Sequence, residues 1–179
     1  MELKGVIMKT TGAMLAITLA GALVASAAAA QTKAADKASQ KFIQEAVQGD
    51  IAEVDVGKLA QEKGQSADVK EFGAMLVKDH GAHKAKAEEV ANELGVKPPT
   101  GSSMTQKATY AKLKLLSGSS FDSAFAKAMV KDHKEDIKAY QKEASKNDPA
   151  GKLAKETLPT LQHHLQVAQQ LTTQKQSSR

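Results

Sequence analysis

Between residues 36 and 172, apolar side chains return every three or four positions along four long segments, the period of α-helices that bury one face. The first runs from about Asp36 to Lys63 and stops at Gly64, a residue suited to the position just past a helix C-terminus. Ser66 can cap the second, Asp68 complements the helix dipole in its first turn, and the segment continues to Leu94 before Gly95. The stretch VKPPTGSS, Val96 to Ser103, cannot continue a helix through its two prolines. Thr105 to Leu116 reads as a short connecting helix with Tyr110, Leu113 and Leu116 on one side, closed by Gly118. Ser119 or Ser120 then caps the third long helix, which reaches about Lys146. Asn147, Asp148 and Pro149 supply a stop, an N-cap and a first-turn proline for the fourth, ending near Thr172.

The pattern predicts an all-α fold, two helical hairpins joined by a long crossover that contains a short helix, as in a four-helix bundle. An up-down-up-down bundle with an irregular middle loop fits the same pattern. The expected organisation is a signal peptide over 1–30, a flexible lead over 31–38, the bundle over 39–172 and a disordered tail over 173–179. The signal peptide rests on Lys4 and Lys9, the apolar run Ala13 to Ala25, and small residues from Ser26 to Ala30, with cleavage preferred after Ala30. It places the mature chain in the periplasm or cell envelope, with membrane attachment only if the segment stays uncleaved.

Composition agrees with a helical protein: aromatics make up 3% of residues and Trp is absent. The formal charge of +5 comes from Lys residues interleaved with Asp and Glu, without a basic block or interleaved aromatics, so no nucleic-acid partner is expected. The chain has no Cys and cannot form disulfides. Oligomeric state is not legible.

Polar residues interrupt the apolar faces at particular places. On the first helix, Phe42, Ile43, Ala46, Gly49, Val54, Val56, Gly57 and Ala60 share an arc with Glu53 at its centre and Asp50 within it. Gly49 and Gly57, one turn to either side of Glu53, are expected to leave room around its carboxylate. The second helix presents Val69, Phe72, Leu76, Ala87, Val90 and Leu94 with His80 and His83 projecting from that stripe. The third repeats the layout: FGAMLVKDH, ending at His80, returns as FAKAMVKDH, ending at His133, with Asp136 in the place of His83. On the fourth, Leu158, Leu161, Leu165, Ala168 and Leu171 align with His164 and leave His163 outside, because neighbours on a helix stand about 100° apart. Pro159 implies a kink or a local restart there.

Glu53, His80, His133 and His164 fall at similar distances from their hairpin turns, so each long helix contributes an inner polar residue near mid-height. A buried cluster of this kind must be mutually hydrogen-bonded or hold a cation. The candidate metal ligands are therefore Glu53, His80, His83, His133, Asp136 and His164, with Asp50, Asp79 and Asp132 as supporting residues that can orient an imidazole. Imidazole and carboxylate suit zinc, iron, copper or manganese, and do not select among them.

The repeated VKDH phrase, Glu53 within AEVDVGKLA, and LPTLQHHL near the C-terminus resemble domain-of-unknown-function family 4142, over roughly Ser39 to Leu171. The resemblance implies a ferritin-like fold and an envelope location, points to Glu53, Asp79 with His80, Asp132 with His133, and Pro159 with His164, and implies no particular reaction. The chain departs from the di-iron pattern, which needs Glu-x-x-His on two helices, so a single histidine-rich site is expected instead. Three functions compete: a periplasmic metal-binding bundle in metal handling or stress response, a non-catalytic envelope stress or interaction protein whose polar cluster is structural, and a metal-dependent oxidoreductase acting on peroxide. No catalytic residue is assignable. No nucleophilic triad and no phosphate-binding loop is readable.

Overall fold

The computed structural model describes residues 36–177, with side chains through Thr173. The expected signal peptide, the lead as far as Ala35 and the last two residues of the tail lie outside the described residues. What is described is helical, with no strand among these residues. The elements are α1 (Lys37–Lys63), α2 (Ala67–Glu93), α3 (Met104–Lys114), α4 (Gly118–Glu143) and α5 (Pro149–Ser177). None of them is long and apolar enough to cross a membrane.

Local chemistry explains most boundaries. Asp36 accepts from the Ser39 amide at 2.7 Å at the start of α1, and Ser66 accepts from the Val69 amide at 3.3 Å at the start of α2. Ser103 and Gln106 form a reciprocal capping box on α3. Asp148 accepts from the Gly151 amide at 2.7 Å ahead of Pro149. Two ends differ from the sequence reading. Helix α4 begins at Gly118, with Ser117 in the N-cap position, slightly ahead of the expected cap. Helix α5 continues through Pro159 to Ser177 rather than ending near Thr172.

The closest helix pairings are α1 with α2 and α4 with α5, each joined by a short turn; α2 also packs on α5, and α3 lies against α1 and α4. The α1–α2 crossing depends on glycine. A Cβ on Gly57 would stand 2.7 Å from the Gly73 carbonyl oxygen, and one on Gly73 would stand 2.6 Å from that of Gly57. Gly57 therefore lets two backbones approach, and does not make room for Glu53 as the sequence suggested. Gly64 is likewise needed for space: its φ of −55° is ordinary, but a Cβ there would meet the Ala60 carbonyl oxygen at 2.5 Å.

Two apolar clusters fill the interior. One gathers Phe42, Ile43, Val47, Ala87, Tyr140, Leu153 and Leu161; the other gathers Val56, Leu59, Phe72, Leu76, Phe121, Phe125 and Met129. Along each long helix the polar residues fall between these clusters: Asp50 and Glu53 on α1, His80 and His83 on α2, His133 on α4 and His164 on α5, all buried. A polar layer between two apolar blocks is the main fact the fold provides for function. Far from it, Ser39 joins α1 to the α4–α5 turn through Glu143 at 2.5 Å and Asp148 at 2.7 Å.

Candidate metal centre

The layer resolves into two clusters. One nitrogen each of His80, His133 and His164 lies within 4.8 Å of the others, and so does one oxygen each of Glu53, Asp132 and Asp136. The expected facing of His80 and His133 is present, with ring centroids 5.7 Å apart, and His164 stands 5.3 Å from each of them. His133 and His164 have no exposed surface, whereas His163 is exposed.

Hydrogen-bond partners fix the tautomers, since carboxylates and carbonyls only accept. His80 Nδ1–H donates to Asp50 Oδ1 at 3.0 Å. His133 Nδ1–H donates to the Met129 carbonyl at 3.0 Å, one helical turn back. His164 Nε2–H donates to Asp79 Oδ2 at 3.0 Å. Each neutral ring then keeps one lone pair, on His80 Nε2, His133 Nε2 and His164 Nδ1. His80 Nε2 is buried without a partner. His133 Nε2 and His164 Nδ1 face each other at 3.3 Å, a hydrogen-bond distance with no proton left to share. Burial holds the His133 imidazole down at about 3, helped by His80 and His164, so it is neutral at physiological pH. Burial also lowers His164, against the opposing pull of Asp79. Three converging lone pairs, each backed by an N–H bonded to the protein, are the donor set that a tetrahedral transition-metal site takes from histidine.

Other expected ligands sit elsewhere. His83 does not join the trio: its Nδ1 lies 2.8 and 2.9 Å from the two Asp50 oxygens, and its ring stands beside Tyr140. Asp50 and Asp79 orient imidazoles as expected of supporting residues. Asp132 bonds no imidazole; it stands with Glu53 and Asp136. Glu53 comes no closer to the trio than 3.7 Å from His133 Nδ1, the nitrogen already committed to Met129. Its carboxyl is pushed well up by burial first and then by the neighbouring Asp132 carboxylate. Burial and the same Asp132 raise Asp136 to about 8. The expected single ring of Glu53, His80, His133 and His164 is thus a histidine trio with a carboxylate trio behind His133. The sequence reading also missed the Met129 carbonyl, although its i, i+4 relation to His133 was available.

A cleft of about 300 Å³ between α1, α3 and α4 reaches the layer at Asp50, His80 and Asp136. A smaller one of about 140 Å³ reaches Glu53 and Asp132. Gln106 on α3 and Glu135 on α4 border both.

Fold and layer together define an all-helical protein with a histidine cluster in its core. The chain belongs to the family described as "Domain of unknown function (DUF4142)", whose model matches residues 24–171. No curated protein matches it significantly. Among solved structures it is similar to a crystal structure of a DUF305 fragment from Deinococcus radiodurans, at 15% identity and a TM-score of 0.70, over 78% of this chain and 98% of that one. At that identity the likeness concerns the helical fold alone.

Proposed function

We propose that this protein is an exported, ferritin-like four-helix-bundle protein that binds one transition-metal ion through His80, His133 and His164, in envelope metal handling or stress response. The observation that carries the reading is the 3.3 Å approach of His133 Nε2 and His164 Nδ1, both without a hydrogen, beside the unpartnered His80 Nε2. A purely structural network would have shared protons at those atoms, because a buried polar atom left unpaired costs about 1–3 kcal/mol. A bound cation would give all three lone pairs a partner and supply a Lewis-acidic centre. The bundle reading is supported by two hairpins whose connection carries α3. Export is supported by the basic, apolar and small-residue succession of the first 30 residues. A site without thiolates also suits an oxidising compartment, and the chain has no Cys to offer.

Zinc titration of the untagged chain against a chromophoric chelator tests the site. The expected result is one Zn²⁺ per chain, an affinity unchanged in His163→Ala, and a loss in His133→Ala larger than the roughly 10–100-fold typical of removing a supporting residue. Wild-type affinity in His133→Ala overturns the assignment.

A further inference from the structure

We propose that Glu53, Asp132 and Asp136 form a second cation site, selective for a hard divalent ion such as Mn²⁺, on the opposite edge of His133 from the histidine trio. Glu53 is 1% exposed, and no N–H or hydroxyl donor reaches either of its oxygens. Carboxylates elsewhere in the layer are matched: Asp50 accepts from two imidazoles and Asp79 from one. Here no lysine or arginine pairs with any of the three acids among the described residues, and the nearby Lys131 ammonium turns to Glu135 at 3.4 Å. One oxygen from each of the three carboxyl groups already lies within 4.8 Å of the other two.

The surroundings favour an ion that keeps water. The clefts that reach Glu53, Asp132 and Asp136 open to solvent, and the acids in their outer walls, Glu45 and Glu135, are each paired to a lysine, Lys41 at 2.8 Å and Lys131 at 3.4 Å, so the inner three carboxyl groups are the ones left without a cation. Hard divalent ions take six or more oxygen ligands and retain several waters, which three carboxylates facing a wet cleft allow. An all-oxygen donor set selects such ions, whereas the three imidazole nitrogens select softer ones. His133 separates the sites: its Nε2 faces His164, and its Nδ1 edge, bonded to Met129, faces Glu53. The second site stands independently of the histidine reading.

Mn²⁺ titration of the full untagged chain, followed by loss of the aqueous-ion EPR signal, tests it. Wild type is expected to bind one Mn²⁺, with His80→Ala within about twofold of it and Asp132→Asn/Asp136→Asn weaker by about tenfold or more. Glu53→Gln gives an independent readout should the double variant lose its helical circular dichroism, and the same weakening is expected. The proposal is overturned if folded wild type leaves Mn²⁺ free, if the carboxylate variants bind it as wild type does, or if only His80→Ala abolishes binding. Because zinc binding is read separately, failure of either site leaves the other standing.

Discussion

The histidine trio and the carboxylate trio lie at the same level, separated by one imidazole ring, the first buried throughout and the second buried at Glu53 and half-buried at Asp132 and Asp136, and the protein treats them in opposite ways. Every histidine of the first has one N–H satisfied by an acceptor on the protein, namely Asp50, the Met129 carbonyl and Asp79. Neutral ligands of this kind can be buried and oriented before any ion arrives. Among the acids, no N–H or hydroxyl donor reaches either oxygen of Glu53, so burial and then the Asp132 carboxyl beside it drive its pKa upward. Matched polar groups give a preformed site; unmatched ones give a site that is stable only when protonated or occupied.

The largest effect that tests this contrast comes from Asp50. Its carboxylate accepts from both His80 and His83, and all three side chains are buried. Asp50→Ala strands two imidazole N–H groups, each costing about 1–3 kcal/mol. Urea unfolding monitored by circular dichroism should show a loss of roughly 2–6 kcal/mol on that basis, together with weaker zinc binding. A loss under ~1 kcal/mol would mean that the layer is not held by these bonds.

Glu53 should respond in the opposite direction. Glu53→Met keeps length and volume while removing two oxygens that no N–H or hydroxyl donor reaches, so in the presence of chelator the folded chain should gain about 1–3 kcal/mol. The same variant should lose the stabilisation by Mn²⁺ expected of wild type. Destabilisation in chelator would show that Glu53 has a partner in solution and that the two trios are alike.

The sequence made one half of this comparison legible and hid the other. Rotation about a single helix axis is enough to choose His164 over His163 and to turn His80 and His133 inward, and all three are buried as expected. It also places Asp50 and Glu53 on the inner face. What one helix cannot reveal is how its neighbours are rotated and shifted along their axes. Its own helix therefore groups Glu53 with the histidines, although the rotation of α4 brings Asp132 and Asp136 to it. Spacing groups His83 with His80, but Asp50 draws it away from the trio. Burial of Ser39 and Glu143 was not legible either, because it depends on the α4–α5 turn coming back over the start of α1. Helix termini were more accessible, since Asp36, Ser66 and Asp148 act through bonds to residues only three positions away.

The smallest expected effect is a change of sign with pH in the metal-free chain. Asp136 titrates near 8 when folded and near its ordinary 3.8 when unfolded, so between those values the unfolded chain binds fewer protons and stability falls as pH rises. Its contribution is complete below 3.8 and lost as pH passes through about 8; Glu53, also raised, acts in the same sense. His133 has the opposite sign. Its folded value near 3 lies below the ordinary 6.5, so its contribution is complete above 6.5 and lost as pH falls toward 3. The two trends offset each other through the mildly acidic range, and only the carboxylate trend remains above 6.5. The urea midpoint measured in chelator should therefore fall between pH 6.5 and 8 in wild type and fall less in Asp136→Asn, while the decline below pH 6.5 should be steeper in the variant, where Asp136 no longer offsets His133. Equal alkaline slopes in the two proteins would place Asp136 outside the buried cluster and reduce the contrast between the trios to their ligand chemistry alone.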